Sequence, residues 1–155
     1  MLKMPNYTLD QQQLVRRSLE DVFAFFSSPE NLQHLTPRFL DFRILTPVPI
    51  EMREGALIDY RISVRGVPLR WQTRIESYEP MRSFVDVQLR GPYRLWRHTH
   101  TFEATPEGTD VRDHVEYALP FGPLGQLAHA LIVKRDLEQI FAYRRDVIAQ
   151  LLERP

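Results

Sequence analysis

From Pro120 to Leu152 the chain reads as one long amphipathic helix, and that run limits the fold more than any other stretch. Leu124, Leu127, Leu131, Leu137, Phe141, Ile148 and Leu152 recur at the three-or-four spacing of one helical face, whereas Lys134, Arg135, Glu138, Arg145 and Asp146 fall mainly elsewhere. Pro123, just after Gly122, suits a first helical turn, where its missing N–H costs no hydrogen bond. About thirty residues at 1.5 Å per residue make a rod of roughly 45 Å. A compact chain of this length has a radius of gyration of about 15 Å. The helix must therefore cross the whole molecule, and its partner decides the architecture.

That partner is a meander of strands. Tyr7 to Arg17 reads as a first strand with Leu9, Gln11, Gln13 and Val15 on one side. Ser18 is placed to cap a short helix carrying Val22, Phe23 and Phe26, and Pro29 opens a second one that closes at Thr36-Pro37. From Phe39 to Leu119 the period changes to two, with a short strand around Phe42 to Leu45 and a clear one at Ile58, Tyr60, Ile62 and Val64. A tight turn at Arg65-Gly66 sets Val64 opposite Val67, Ile62 opposite Leu69 and Tyr60 opposite Trp71, all with apolar rows on one face.

The turn around Pro80 pairs Tyr78 with Ser83 and brings Phe84, Asp86 and Gln88 to the face of Ile75, Thr73 and Trp71. Gly91-Pro92-Tyr93 carries the face on to Trp96, His98, His100 and Phe102. The last hairpin adds Val111, Asp113, Val115 and Tyr117. Its register is open by one residue between Asp113 and His114; the apolar company of Asp113 favours Asp113 as the inward residue. The expectation is an α+β helix-grip fold over residues 1–155 as a single domain: a curved antiparallel sheet of about seven strands wrapped around the C-terminal helix, with two short helices after the first strand. A concave sheet gripping one helix leaves a pocket between them.

Composition removes several function classes. Lys plus Arg and Asp plus Glu each number 20, so the net charge is zero, unlike the basic excess of proteins that hold nucleic acid. With no cysteine, thiol catalysis, disulfides and thiolate metal sites are excluded, which fits a reducing cytoplasm. The N-terminal stretch has no apolar core of signal-peptide length, and nothing approaches the ~20 apolar residues of a membrane span. A cytoplasmic protein without stable membrane insertion is expected.

Asp86, Gln88, Trp96, His98, His100 and Asp113 are polar groups set in apolar rows on the concave face, where each needs a partner or a ligand. The strand register puts Asp86 opposite His98. That pair would either orient strands while binding nothing or, against a ligand, move a proton, with His98 as acid or base and Asp86 fixing its tautomer. His98 and His100 also have the spacing of two imidazoles at a metal, with Asp113 or His114 as a third ligand. Paired strand histidines are more often polar core residues, so no metal or other cofactor is assigned. Tyr60, Trp71, Phe84, Trp96, Tyr117 and Phe141 supply aromatic walls, and Leu127 and Leu131 the helical side of the same cavity. Arg61, Arg70, Arg74, Arg94, Arg97 and Arg112 fall on the solvated face.

The order of these elements, with the run Gly91 to Phe102, the segment Gly108 to Asp113 and Leu119 to Gly125, resembles the SRPBCC ligand-binding domains: the START, birch-pollen-allergen and polyketide cyclase/dehydrase superfamily, and within it a bacterial cyclase/dehydrase-like subgroup of unassigned ligand. The resemblance spans essentially the whole chain. It implies a helix-grip cavity but brings no catalytic motif, because the superfamily serves lipid carriers, receptors and cyclases on one scaffold. The expected function is binding of a small, largely apolar ligand, a lipid, isoprenoid or polyketide-like aromatic. A cyclase/dehydrase using the His-Asp pair, and an interaction module with a vestigial pocket serving a partner enzyme, stand as alternatives.

Overall fold

Arg65 and Gly66 both have positive φ, 52° and 81°, so β3 (Leu57–Val64) and β4 (Val67–Glu79) join through the two-residue turn whose twist matches that of antiparallel strands. Val64 faces Val67, Ile62 faces Leu69 and Tyr60 faces Trp71, as the alternation requires. In this computed structural model, which describes residues 6–153, the strands form one seven-stranded antiparallel sheet in the order β1-β7-β6-β5-β4-β3-β2. β1 is Tyr7–Val15, β2 Arg43–Ile44, β5 Ser83–Arg90, β6 Leu95–Thr105 and β7 Gly108–Ala118. The sheet is curved, and the concave side takes the long C-terminal helix.

The β4–β5 pairing differs from the expected one next to its turn. Tyr78 faces Phe84 and Glu79 faces Ser83, one residue out of the predicted register, but a bulge between Ile75 and Ser77 absorbs the difference. Beyond it Ile75 faces Asp86 and Thr73 faces Gln88, so Asp86 still reaches the inner face. A bulge places two residues against one and sharpens the local twist, which a strand wrapping a helix needs. In the last hairpin His100 faces Asp113, and His114 points outward to Asp10, 2.5 Å from its Nδ1. A one-residue slip would have buried His114 among apolar side chains and exposed Val111, Val115 and Tyr117, all now at most 3% exposed.

Ser18 caps α1 (Leu19–Phe26) by accepting a hydrogen bond from the Asp21 N–H at 3.2 Å. A 3₁₀ turn at Pro29–Asn31 leads into α2 (Leu32–Leu35), and another at Arg38–Leu40 leads into β2. These pieces close one end of the groove.

The C-terminal helix starts at Gly122 and runs 31 residues, as α3 (Gly122–Ala128), a π-helical stretch His129–Val133, and α4 (Lys134–Leu152). Its buried face keeps only the second half of the predicted stripe, Leu137, Phe141, Ile148 and Leu152. Leu124, Leu127 and Leu131 are 72%, 56% and 68% exposed, while Gly125, His129, Leu137, Phe141, Arg144, Ile148 and Leu152 turn inward. The anchor is His129, whose Nε2 lies 2.7 Å from the Tyr117 hydroxyl and whose ring stacks on Tyr7 at 3.5 Å. Leu127 is two residues from both Gly125 and His129, about 200° around the helix from either. The wider π turn keeps two four-residue steps, from His129 to Val133 and on to Leu137, on one face.

Gly125 lets the helix start close against the end of β7. A Cβ there would lie 2.1 Å from the Pro120 carbonyl oxygen, which is backbone and cannot swing away. Gly125→Ala is expected to destabilise the chain by about 1–3 kcal/mol, the usual cost of overpacking. Chemical denaturation measures it, and an unchanged midpoint would show that the helix start is free to shift.

Two apolar clusters lie on either side of a polar layer. One contains Phe26, Phe84, Phe102, Val111 and Ile148; the other contains Trp71, Trp96, Val115, Leu137 and Phe141. Between them each element contributes a polar residue: Asp86 after Phe84 on β5, His98 and His100 between Trp96 and Phe102 on β6, Asp113 between Val111 and Val115 on β7, and Arg144 between Phe141 and Ile148 on α4. Among the described residues no helix is long and apolar enough to cross a membrane.

Candidate functional site

Between the sheet and the C-terminal helix lies a cavity of about 1070 Å³. Pockets that take drug-sized molecules run from about 300 to 1,000 Å³, so this one stands at the large end. β3 contributes Ile58, Tyr60 and Ile62, β4 contributes Trp71, Thr73 and Ile75, and α4 contributes Leu137 and Phe141. Phe26, Leu32, Leu35 and Phe39 close it from the short helices and turns, and Leu131 stands at its exposed rim. The aromatic walls hold one another in place. Tyr60 stacks on Trp71 at 5.8 Å, Trp71 meets Trp96 edge-on at 5.5 Å, and the Trp71 indole N–H donates to Thr73 Oγ1 at 3.0 Å. Burial pushes the Tyr60 hydroxyl far above its usual range, so it stays protonated.

The buried polar part of this wall is the layer described above: Asp86, His98, His100 and Arg144 line the cavity, with Asp113 behind them, while Arg65, Arg135 and Asp136 line its more exposed edge. The pairing is diagonal. Asp86 faces His98 across the ladder, but its carboxylate accepts from His100 Nε2 at 2.6 Å and lies 3.9 Å from His98 Nδ1. His98 Nε2 donates instead to Asp113 Oδ1 at 2.7 Å. The two imidazoles stack at 3.7 Å between the two carboxylates, and Arg144 Nη2 donates to Asp113 Oδ1 at 3.4 Å. The expected Asp86–His98 pair is therefore replaced by Asp86–His100 and Asp113–His98, because neighbouring rings on one strand stack and each tilts toward the next carboxylate.

Electrostatics divides the four titrating groups. Burial opposes ionisation of Asp113, but the Arg144 guanidinium and the two adjacent histidines outweigh it and hold its carboxyl well below the usual range. Asp86 is also lowered, with burial opposed by the His100 hydrogen bond. Burial and the neighbouring His100 push His98 down, keeping it neutral. His100 is raised, since the Asp113 carboxylate 3.4 Å from its Nδ1 and the hydrogen-bonded Asp86 carboxylate overcome its burial. With Nε2 donating to the Asp113 carboxylate, neutral His98 presents a lone pair on Nδ1.

Of the residues read from the sequence, Tyr60, Trp71, Phe84, Asp86, Trp96, His98, His100, Leu131 and Phe141 line the cavity. Gln88, Asp113, Tyr117 and Leu127 do not. Gln88 staples the β5–β6 bend, donating to the Tyr93 carbonyl at 2.7 Å and accepting from the Tyr93 N–H at 3.1 Å. Asp113 is covered by the histidines and Arg144, Tyr117 is turned to His129, and Leu127 is on the outer face of the helix. Arg144 was not anticipated. The available signal was its position, three residues after Phe141 and four before Ile148, on the inward stripe where a charge demands a partner.

The family model described as polyketide cyclase / dehydrase and lipid transport matches residues 15–142. Among solved structures, the Zhui aromatase/cyclase from Streptomyces sp. R1128 superposes with a TM-score of 0.76 at 12% identity, over 97% of this chain and 95% of that one. A protein from Chromobacterium violaceum gives 0.72 at 16% identity, over 96% and 99% of the two chains. Ara h 8.0201 gives 0.61 at 13%, over 94% and 99%. At these identities the likeness concerns the fold. No curated protein matches the chain by sequence. With its seven-stranded sheet gripping a C-terminal helix and the family match covering most of its length, the chain belongs to the polyketide cyclase/dehydrase and lipid transport family of the SRPBCC superfamily.

Proposed function

We propose that the chain binds one small, largely apolar molecule in the cavity, a lipid, isoprenoid or polyketide-like aromatic, with its polar end against Asp86, His98, His100 and Arg144. The observation that carries this reading is a cavity of about 1070 Å³ walled mainly by aromatic and aliphatic side chains, with one buried polar layer of Asp86, His98, His100 and Arg144. An apolar body gains about 25 cal/mol per Å² on leaving water for such walls, and the polar layer fixes its orientation. Zero net charge supports an uncharged or singly charged small partner over nucleic acid.

Trp71 and Trp96 both line the cavity, so their fluorescence reports occupancy. Native mass spectrometry of protein taken from cells is expected to show a bound small molecule, and re-adding the extracted molecule to stripped protein should quench the tryptophans saturably at one equivalent. Protein that carries no extra mass and whose fluorescence no lipid or aromatic extract changes would end the binding reading.

Catalysis on the same ligand is the second reading, favoured by the neutral His98 with Nδ1 free on the cavity wall; one structural neighbour bears the name aromatase/cyclase. There, His98→Gln would abolish turnover while leaving affinity within a few-fold, whereas a binding role for His98 predicts equal loss of both.

A further inference from the structure

We propose that Asp86, His98 and His100 together form a site for a divalent transition-metal ion on the cavity wall. Each offers one ligand atom, and the three atoms lie within 4.8 Å of one another. The tautomer of His98 supplies the first argument. Its Nε2 donates to Asp113, a carboxylate that can only accept, so Nδ1 carries a lone pair. That lone pair is 3.9 Å from Asp86 Oδ2, with no hydrogen between the two bases. Two ligands on one tetrahedral ion at bond lengths of 2.0–2.2 Å stand roughly 3.3–3.5 Å apart, so a slight rotation of either side chain closes the gap.

His100 supplies the second. Its Nε2 lies 2.6 Å from Asp86 Oδ2, where an ion would replace the intervening hydrogen. Its Nδ1 has no hydrogen-bond partner, though the residue is only 4% exposed and Asp113 Oδ1 is 3.4 Å away. With Nε2 on a metal, the remaining proton belongs on Nδ1 and points at Asp113. Asp113 would then receive an N–H from both ligating imidazoles while Arg144 holds it from behind, the outer-shell arrangement that orients metal-bound histidines. The third ligand is thus Asp86, where the strand spacing alone had offered Asp113 or His114, and Asp113 stands behind the imidazoles.

Charge and ligand type select the ion. Metal ligation requires both imidazoles to be neutral, and Asp86 and Asp113 against Arg144 then carry a net charge of minus one, which an ion in place of the His100 proton takes up. Two imidazoles and one carboxylate suit zinc, iron(II), cobalt(II) or nickel(II), whereas calcium and magnesium prefer all-oxygen shells. A divalent ion carries the group to a net charge of plus one, so its open position toward the cavity favours an anionic oxygen on a bound molecule.

Cobalt(II) alone is the probe. Chelator-treated protein titrated with cobalt is expected to develop visible d–d bands saturating at one equivalent. Asp86→Asn and His98→Gln should each weaken binding at least tenfold, and Asp113→Asn by about 10–100-fold. His114→Gln, which removes an exposed histidine beside Asp10 and Glu116, should change nothing. Circular dichroism establishes that each variant is folded; if His98→Gln is not, Asp86→Asn, on a side chain 19% exposed at the cavity wall, decides alone. No bands at millimolar cobalt, bands that survive Asp86→Asn, or bands lost with His114→Gln would each overturn the site. Because the probe contains no organic ligand, such a result leaves the binding reading of the cavity standing.

Discussion

Arg144→Leu is expected to lower the unfolding free energy by about 3–5 kcal/mol, the cost of leaving a buried ionic partner alone. Asp113 is 4% exposed and lies between two valines of β7, so without the guanidinium its charge faces apolar surroundings with only the histidines as donors. Arg144 also rests over the Phe26 ring at 5.2 Å, a contact that leucine replaces only in part. At about 2–4 °C per kcal/mol for a chain of this size, the midpoint should fall by roughly 6–20 °C. Adding Asp113→Asn should recover part of the loss, since the amide needs no counter-charge.

The pH dependence has a definite sign. Asp113 has a depressed native pKa, so its stabilisation is present above the ordinary aspartate value and fades as pH falls through the native one. The gap between wild type and Arg144→Leu should therefore narrow below about pH 4. A gap unchanged from neutrality to acid, or a loss under 1 kcal/mol, would show that the pair is dispensable.

The second large effect concerns the cavity. Ile62 on β3 and Leu137 on α4 are both cavity-lining, on the sheet wall and the helix wall. Ile62→Trp combined with Leu137→Trp should reduce affinity for an apolar fluorescent probe such as N-phenyl-1-naphthylamine at least tenfold, about 1.4 kcal/mol. Stability should move much less, because the added rings enter space instead of a close-packed interior. Unchanged probe affinity in a folded double variant would place binding elsewhere and remove the cavity from the functional account.

Much of the fold was legible because strand alternation is a local signal. Tyr60, Ile62 and Val64 against Trp71, Leu69 and Val67 admit only one register that buries both rows, and the Arg65-Gly66 turn agrees with it. The Asp113 row was resolved the same way, by its apolar neighbours. The helix was harder. Leu124, Leu127 and Leu131 satisfy helical periodicity as well as the buried residues do, and nothing local announces that His129 will be tied to Tyr7 and Tyr117, residues far away in sequence.

The site shows the same division. Periodicity alone brought Asp86, His98, His100 and Asp113 to one face, since side-chain direction in a strand is set residue by residue. Which carboxylate takes which imidazole was decided by stacking of the rings and by Arg144 arriving on α4, both consequences of how the helix lies across the sheet. The amino-acid order by itself determined the strands, their inner faces and a helix long enough to span them. Only the tertiary structure decided the helix's rotation, the diagonal Asp–His pairing and which side chains line the cavity, because each depends on contacts between elements that approach one another only when the sheet closes around the helix.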